Sequence, residues 1–261
     1  MKKQIKSMLG RMAGLSGLYA RHFRSRMTIV TFHRVNDWMQ ADGLTLGAAK
    51  FEAFCHFFRD HFRVVPLAEL VEGCRAGRDM GGTLAITFDD GYADNFEVAA
   101  PILYKLGLHA TFFVVTGYMQ TNVIAPWDPA PPARPRPWMS WDQVRALAAQ
   151  GFEIGSHTHN HINLGSADAA SIRTDLAASK AKLLAELGKH PRLFAYPFGG
   201  RRNISEESRQ IVREAGFECC VSCFGGTNPV TADPFALKRI GIAEWFESPD
   251  QFGFELLREK T

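Results

Sequence analysis

The stretch TLAITFDDGYADNFEVAAPILYKLGLHATFFVVT, residues 83–116, shows the pattern that predicts the fold. It begins with a continuous apolar run, Thr83–Phe88, passes through a helical pattern, Ala93–Leu106, and ends in a second apolar run, Ala110–Thr116. Gly107 lies directly after the helical pattern, where glycine commonly ends a helix. Continuous apolar runs are typical of parallel strands that are buried on both faces. The stretch therefore predicts a strand–helix–strand unit of a parallel sheet.

The same alternation of strand-like runs and helical patterns extends over most of the chain. The other strand-like runs are Met27–His33, Glu153–Ser156, Leu193–Pro197, Glu218–Cys223 and Leu237–Ile242, and the other helical patterns are Ala48–Phe62, Leu67–Ala76, Trp141–Gln150, Ala167–Leu187 and Ser205–Ala215. This order predicts an α/β protein with a distorted, irregular or incomplete (β/α) barrel of about seven strands. An open doubly wound sheet is the alternative. No glycine-rich phosphate loop follows a strand, which argues against a nucleotide cofactor.

The charge of the chain is unevenly distributed, and it divides the sequence into two predicted parts. Residues 1–36 contain eight Lys or Arg and no carboxylate, so the remainder carries 22 basic against 27 acidic side chains. That acidic balance gives no support to nucleic acid as a partner. We expect a basic helical segment at residues 1–26, followed by a single barrel domain at residues 27–261.

The basic segment mixes its cations with methionine, leucine and tyrosine. Such a pattern is typical of an amphipathic helix that makes peripheral contact with an anionic membrane surface. A helix that covers one end of the barrel, with its cations in water, explains the pattern equally well. No apolar run has the length of a signal-peptide core or a membrane span. We therefore expect a cytoplasmic location, either free or peripheral to the inner face of the membrane.

The motif TFDDG, residues 87–91, places two carboxylates at the end of a buried strand. Neighbouring side chains in a strand point to opposite faces, so Asp89 and Asp90 can converge only where the backbone bends. Gly91 permits that bend. Two buried carboxylates repel each other unless a cation lies between them. An Asp-Asp-Gly sequence on its own is also a common turn.

A second polar motif, SHTHNH at residues 156–161, follows the predicted strand Glu153–Ser156. His157 and His161 are four residues apart, so both imidazoles can face one side and bind a divalent metal ion, with His159 facing away. Asp90 would add an oxygen ligand. Two nitrogens and one oxygen leave coordination positions for water and substrate, as in catalytic metal sites.

Two further segments end strands and so belong to the same predicted face of the barrel. In AYPFGG, residues 195–200, the proline and glycines mark the chain's exit from a strand, where a backbone N–H can point into the site. Tyr196, Pro197 and Phe198 are therefore candidates for contact with the substrate or an oxyanion. His33 ends the predicted strand at the N-terminus. A single histidine in that position is more often structural.

The motifs TFDDG, SHTxxH and AYPFGG, in this order, resemble those of the polysaccharide deacetylase family, the NodB-homology group or carbohydrate esterase family four. The likeness covers about residues 27–245 and implies a distorted (β/α) barrel. It also implies that Asp89 is the general base and that Asp90, His157 and His161 bind a divalent metal ion. The expected ion is Zn²⁺, with Co²⁺ or Ni²⁺ as alternatives.

Two departures from the family pattern change the expected roles. Phe194 stands where the family often has an arginine that orients the base, and no histidine follows His190 to act as the usual acid. The sequence TFHRV, residues 31–35, resembles a subgroup that acts on poly-N-acetylglucosamine and takes its acid from an N-terminal strand. This likeness implies His33 as the acid and makes Arg239, in LKRIGI, the candidate replacement for the arginine.

The resemblance implies a metal-dependent hydrolase that removes an N-acyl group, most often acetyl, from an amino sugar. The expected substrate is an N-acylated sugar or glycan of a surface polysaccharide, a lipopolysaccharide or a precursor. A catalytically inactive, metal-containing carbohydrate-binding protein and a metal-dependent esterase are the alternatives. A proline-rich loop at residues 118–140 is expected at the barrel mouth, where Trp127 and Trp138 either stack on a sugar ring or fasten the loop to the body.

Overall fold

The computed structural model describes residues 2–128 and 137–258. The helices are α1 (Lys2–Leu15), α2 (Leu18–His22), α3 (Ala48–His61), α4 (Leu67–Arg75), α5 (Ala100–Lys105), α6 (Trp141–Ala149), α7 (Ala169–Leu187), α8 (Glu206–Glu214) and α9 (Pro249–Leu257). The strands are β1 (Arg26–Phe32), β2 (Arg34–Val35), β3 (Thr45–Leu46), β4 (Arg63–Val64), β5 (Thr83–Phe88), β6 (Thr111–Val114), β7 (Glu153–Ser156), β8 (Leu193–Ala195), β9 (Cys219–Val221), β10 (Asn228–Pro229) and β11 (Ile240–Gly241). Among the described helices none is long and apolar enough to cross a membrane.

The main sheet follows the order β10-β1-β5-β6-β7-β8-β9, with β4 beside β5 and β11 beside β1. Its pairings are parallel except that of β1 with β10. From β1 to β9 the strands succeed one another in chain order, as in a (β/α) barrel. A doubly wound sheet would reverse its strand order part-way. The predicted distorted barrel is confirmed, and the open doubly wound alternative is wrong.

A short segment that includes β11 joins the two ends of the curled sheet. Leu237 pairs with Val221 of β9, and Ile240 pairs with Val30 of β1. Arg239 lies between these two pairings and is fully buried. Only a few backbone pairs close the barrel here. Of the predicted strand at residues 237–242, two residues form regular strand, as β11.

A row of phenylalanine rings across the first strands fixes their register. Phe32 of β1 pairs with Phe88 of β5, and Phe88 pairs with Phe112 of β6. Their rings stack at centroid distances of 5.5 and 4.8 Å, an arrangement that stabilises aromatic pairs. Because Phe32 and Phe88 are the last residues of their strands, the next residues, His33 and Asp89, emerge side by side.

The predicted helix Ala93–Leu106 is interrupted. Its first half forms a π-helical turn, Asn95–Ala99, and only the second half is α-helical, as α5. Pro101 has no N–H with which to bond the carbonyl of Glu97, so a regular α-helical ladder cannot pass this point. The division between residues 1–26 and 27–261 stays a prediction.

Candidate active site

The predicted polar site residues emerge from the carboxyl ends of the parallel strands, which is where barrels of this kind build their active sites. They surround a cavity of about 530 Å³. Its lining includes His33, Asp89, Asp90, Trp127, His157, His161, Phe198, Arg202, Asn203 and Trp245. Arg239 does not line the cavity and lies behind Asp89. The sequence therefore predicted most of the polar side chains that meet here.

Asp90, His157 and His161 form a buried cluster with the geometry of a metal site. Asp90 Oδ1 lies 3.4 Å from His157 Nε2 and 3.3 Å from His161 Nε2. These distances are too long for charge-assisted hydrogen bonds, and Asp90 Oδ1 has no hydrogen-bond partner among the described residues. Two ligand atoms bound to one tetrahedral Zn²⁺ at about 2.0–2.1 Å would be about 3.3–3.4 Å apart. The three side chains therefore fit a divalent cation.

The backbone is strained at two of these three residues. Asp90 has a φ of 73° and His161 a φ of 55°, both in the left-handed region that non-glycine residues seldom occupy. Such conformations cost on the order of 1–3 kcal/mol each and persist only where the surrounding structure enforces them. Both bends turn a side chain towards the shared site, which connects the strain to the function of these residues.

Helix α7 supplies an anchor for the histidine loop that the sequence did not reveal. The carboxylate of Asp175 accepts hydrogen bonds from the backbone N–H groups of His159, at 2.6 Å, and Asn160, at 3.0 Å. The ring of His159 bonds Thr116 and faces away from the cluster, as predicted. The available sign of this anchor was a carboxylate on the buried face of a helix, because a buried carboxylate needs hydrogen-bond partners.

The orientation of His157 is fixed by a second contact. Its Nδ1 lies 2.9 Å from the carbonyl oxygen of Ala195 and donates to it in the neutral tautomer. That tautomer leaves Nε2 free to bind a metal ion. Burial lowers the pKa of His157, but the carboxylates of Asp89 and Asp90 outweigh it and raise the pKa above its usual value. Burial likewise opposes ionisation of Asp90, yet the two imidazoles hold its pKa well below the ordinary range.

Asp89 is held by a bidentate pair with Arg239. The two terminal nitrogens of Arg239 donate to Oδ1 and Oδ2 of Asp89 at 2.7 and 2.6 Å. Arg239 Nε also donates to the carbonyl oxygen of Ser222 at 2.8 Å, which fixes the plane of the guanidinium. Burial alone would raise the pKa of Asp89, but Arg239 holds it below its usual value. Phe194, at the position where the family often has its arginine, packs instead in the core.

His33 lies beside this pair, at the position that the register of β1 and β5 gives it. Its Nε2 is 4.0 Å from Asp89 Oδ2, and 21% of its side chain is exposed. Burial lowers the pKa of His33 despite the nearby carboxylates of Asp90 and Asp89, which act in the opposite direction. The imidazole is therefore a ready proton donor once it is protonated.

The sequence model of the polysaccharide deacetylase family matches residues 76–220, more than half of the chain. This chain belongs to the polysaccharide deacetylase family. It is 22% identical, over 84% of its length and 72% of the relative's, to the Bacillus subtilis protein YxkH, whose name describes a polysaccharide deacetylase. It is 24% identical to the poly-beta-1,6-N-acetyl-D-glucosamine N-deacetylase of Staphylococcus aureus, over 67% of this chain. That match spans 59% of the staphylococcal enzyme.

A solved structure shares the fold. The deacetylase PplD of Streptococcus pyogenes, determined in complex with acetate, superposes with a TM-score of 0.76 at 20% identity. The match covers 90% of this chain and 99% of the streptococcal one. Nearly the whole of this family member therefore lies within a shared architecture.

The roles predicted for the AYPFGG motif of this family member need a correction. The backbone N–H of Tyr196 donates to the carbonyl of Val221, and its ring packs against Phe194 in the core. Pro197 has no N–H to donate. Of the three residues predicted for substrate or oxyanion contact, only Phe198 can offer a backbone donor. Its φ of 62° and its position on the cavity wall agree with that role.

The structure also shows how the proline-rich loop reaches the site. Trp127 lines the cavity, and its ring lies 4.3 Å from that of His161. Its Nε1 donates to the hydroxyl of Tyr92, which donates to Asp128, and the buried Arg34 also pairs with Asp128. The sequence gave no sign of this network beyond the position of Arg34 directly after His33.

The two tryptophans of the loop have different surroundings. Trp138 is buried, stacks on Tyr92 at 4.6 Å and so fastens the loop to the body, whereas Trp127 faces the cavity. Residues 129–136, which include most of the loop's prolines, lie outside the described residues.

One buried carboxyl of the family member stands outside the cavity. Asp94 accepts hydrogen bonds from the side-chain amides of Asn36, at 2.6 Å, and Asn95, at 2.9 Å. Burial raises the pKa of Asp94 to about 7. Asn95 also donates to the carbonyl oxygen of His33 at 2.7 Å. Asp94 and the two asparagines therefore support the backbone of His33, the predicted general acid.

Proposed function

We propose that this chain is a metal-dependent carbohydrate N-deacetylase that hydrolyses the N-acetyl group of an amino sugar in a polysaccharide or its precursor. The observation that carries the proposal is the presence in one cavity of two different carboxylates. Asp90 Oδ1 lies 3.4 and 3.3 Å from the Nε2 atoms of His157 and His161, as three ligands of one ion would. Asp89 is instead held ionised by two hydrogen bonds from Arg239. A ligand and a base, separated in this way, are what amide hydrolysis at a metal site requires.

Asp90, His157 and His161 would hold the divalent cation. Two imidazole nitrogens and one carboxylate oxygen suit Zn²⁺, with Co²⁺ or Ni²⁺ as alternatives. When bound, the ion supplies Lewis acidity towards the acyl carbonyl and lowers the pKa of an attacking water to about 7.

The remaining residues divide the proton transfers between them. Asp89 accepts a proton from the water while the water oxygen forms its bond to the acyl carbon. Arg239 keeps Asp89 ionised and fixed in orientation through two hydrogen bonds. The backbone N–H of Phe198 donates to the acyl oxygen as negative charge develops there.

His33 completes the reaction by protonating the departing nitrogen. Cleavage of the carbon–nitrogen bond then releases acetate and a free amino sugar. Because His33 Nε2 lies 4.0 Å from Asp89 Oδ2, the proton that Asp89 accepts has a short path to the amine. The lowered pKa of His33 favours release of that proton.

The proposed substrate is an N-acetylglucosamine polymer or a related surface glycan. Its support is the name of the staphylococcal relative, a poly-beta-1,6-N-acetyl-D-glucosamine N-deacetylase. The cavity also fits a sugar ring, because Trp127 and Trp245 provide aromatic surfaces beside polar groups.

Acetate release from β-1,6- and β-1,4-linked N-acetylglucosamine oligomers, measured by mass spectrometry with zinc-loaded protein, tests the proposal. Asp89→Asn should keep its metal content and lose activity by roughly 100-fold or more, as expected for a general base. His157→Ala should lose metal, as shown by elemental analysis. Full activity of Asp89→Asn would refute the assignment of the base.

The same assay separates the alternative functions. Rapid hydrolysis of an aryl acetate, without release of acetate from any N-acetylated oligomer, would indicate an esterase. Sugar binding by the metal-loaded chain without any hydrolysis would indicate a carbohydrate-binding protein.

A further inference from the structure

Helix α1 packs on the barrel through its small side chains. A Cβ atom on Gly10 would lie 1.9 Å from the carbonyl oxygen of Asp250 in α9, so the two helices touch at the backbone. On the same face Ala13 is buried, and Lys6 pairs with Glu255 at 2.8 Å. These contacts fix which side of α1 faces the protein.

The opposite side of α1 carries an apolar stripe that faces solvent. Its members are Ile5, Met8, Leu9, Met12 and Leu15, spaced as one face of a helix, and they are between 39% and 85% exposed. Leu18, the first residue of α2, is also exposed, at 43%. A surface helix of a globular protein normally turns such a stripe towards the core. Contiguous exposed apolar surface of this kind marks an interaction site.

The charged side chains of residues 1–36 have one sign, although α9, which packs against α1, carries Asp250 and Glu255. Arg11, Arg21 and Arg24 are exposed, and residues 1–36 contain no carboxylate at all. An exposed apolar stripe on a segment whose own charges are all positive is complementary to the surface of an anionic bilayer, which offers both acyl chains and phosphate groups. A second copy of this chain is a poorer occupant, because a symmetric pairing would bring the same cations of both copies together.

We propose that α1 and α2 bind the surface of an anionic lipid membrane, with the stripe on α1 and the exposed Leu18 inserted at the level of the headgroups. The inference rests on the exposed stripe and its charges and is independent of the proposed enzymatic activity.

The position of α1 connects this surface with the cavity. Lys3 Nζ donates to the backbone carbonyl of Trp245 at 3.2 Å, and the half-exposed Trp245 side chain lines the cavity. The membrane-binding helix thus begins at the rim of the candidate active site.

Co-sedimentation of the full chain with vesicles tests the inference. We expect binding to vesicles of equal parts phosphatidylcholine and phosphatidylglycerol, weaker binding at high salt, and far weaker binding to pure phosphatidylcholine. The double variant Met8→Ser/Met12→Ser should weaken binding at least about tenfold, because the membrane would no longer cover the apolar surface of two half-exposed methionines. Tyr104→Ser, which removes an exposed ring on α5, is the matched control and should bind like the unchanged chain.

A second variant tests the charges without touching the apolar stripe. Arg11→Gln/Arg21→Gln should weaken binding about fivefold for each charge removed, with the exposed Arg78→Gln as its control. Absence of binding to the anionic vesicles, or unchanged binding by both double variants, would overturn the proposal. A concentration-dependent dimer in the absence of lipid, abolished by Met8→Ser/Met12→Ser, would also overturn it, because the stripe would then be a protein interface.

Discussion

Replacement of Arg239 by methionine tests the buried ion pair at the centre of the barrel. Methionine is unbranched and flexible, so it fills much of the same space without charge. The variant leaves the carboxylate of Asp89 buried, without the two hydrogen bonds of 2.7 and 2.6 Å that it accepts from Arg239. It also removes the donor to the carbonyl of Ser222. The fold should persist, but with an uncompensated charge inside it.

The size of the effect follows from the burial of both partners, of which Arg239 is 0% exposed and Asp89 2%. Loss of one member of a fully buried pair costs about 3–5 kcal/mol. In a chain of this length each kcal/mol lowers the melting temperature by about 2 °C, so we expect a decrease of about 6–10 °C. The double variant Asp89→Asn/Arg239→Met removes both charges and should recover at least about half of that loss.

Urea unfolding and thermal melting of metal-free protein provide the measurement, because chelation removes any stabilisation by a bound ion. Arg192→Met is the matched control. Arg192 also forms a bidentate pair, with Glu218, but it is half-exposed, so its loss should cost only about 0–1 kcal/mol. Equal destabilisation by the two single variants, or a double variant as unstable as Arg239→Met, would refute the account of a coupled buried pair.

Three further predictions concern the supports of the site. Asp175→Ala leaves two backbone N–H groups without their acceptor, so it should cost about 1–3 kcal/mol and weaken Zn²⁺ affinity about 10- to 100-fold in a chelator competition. Asp94 binds its proton more tightly in the folded chain, with a pKa of about 7, than in the unfolded chain, so its contribution to stability falls as the pH rises from about 4 to about 7. Between pH 5 and pH 8 the unchanged chain should lose about 3 kcal/mol more folding stability than Asp94→Asn, as measured by urea unfolding at each pH. Zn²⁺ at about 100 times its Kd should stabilise the chain by about 2.7 kcal/mol in thermal melts, and His157→Ala should abolish this gain.

Each of these predictions has a contradicting outcome. Zn²⁺ affinity that is unchanged in Asp175→Ala would show that the histidine loop does not need its anchor. Parallel pH profiles of the unchanged chain and Asp94→Asn would show that Asp94 ionises normally in the folded state. Zinc-dependent stabilisation that survives His157→Ala would place the ion elsewhere.

The strands and the residues at their ends could be predicted from the sequence because both are local patterns. An apolar run followed at once by a polar residue marks a strand end, and parallel strands bring such ends to one edge. Asp90, His157 and His161 were recognisable in this way, and the boundaries of β5 and β7 agree with prediction. The interruption before α5 was also readable in principle, since Pro101 marks it.

Other features depend on contacts between distant segments. The sequence offered Arg239 only as a candidate, and its pairing with Asp89, 150 residues away, depends on how the segment around β11 closes the barrel. The burial of Tyr196 depends on β9, whose carbonyl occupies its N–H. The anchoring of the histidine loop by Asp175 likewise depends on where α7 packs.

Helix α1 shows the division most clearly. The spacing of its apolar and basic residues predicts an amphipathic helix, because side-chain direction along a helix is set by the backbone alone. Which face turns towards the protein is decided by the fit against α9, where only the side that bears Gly10 allows the two backbones to touch. The sequence by itself determined the elements and the chemistry at the strand ends. The tertiary structure decided which of those groups meet and which surface faces solvent, because both depend on packing between segments far apart in the chain.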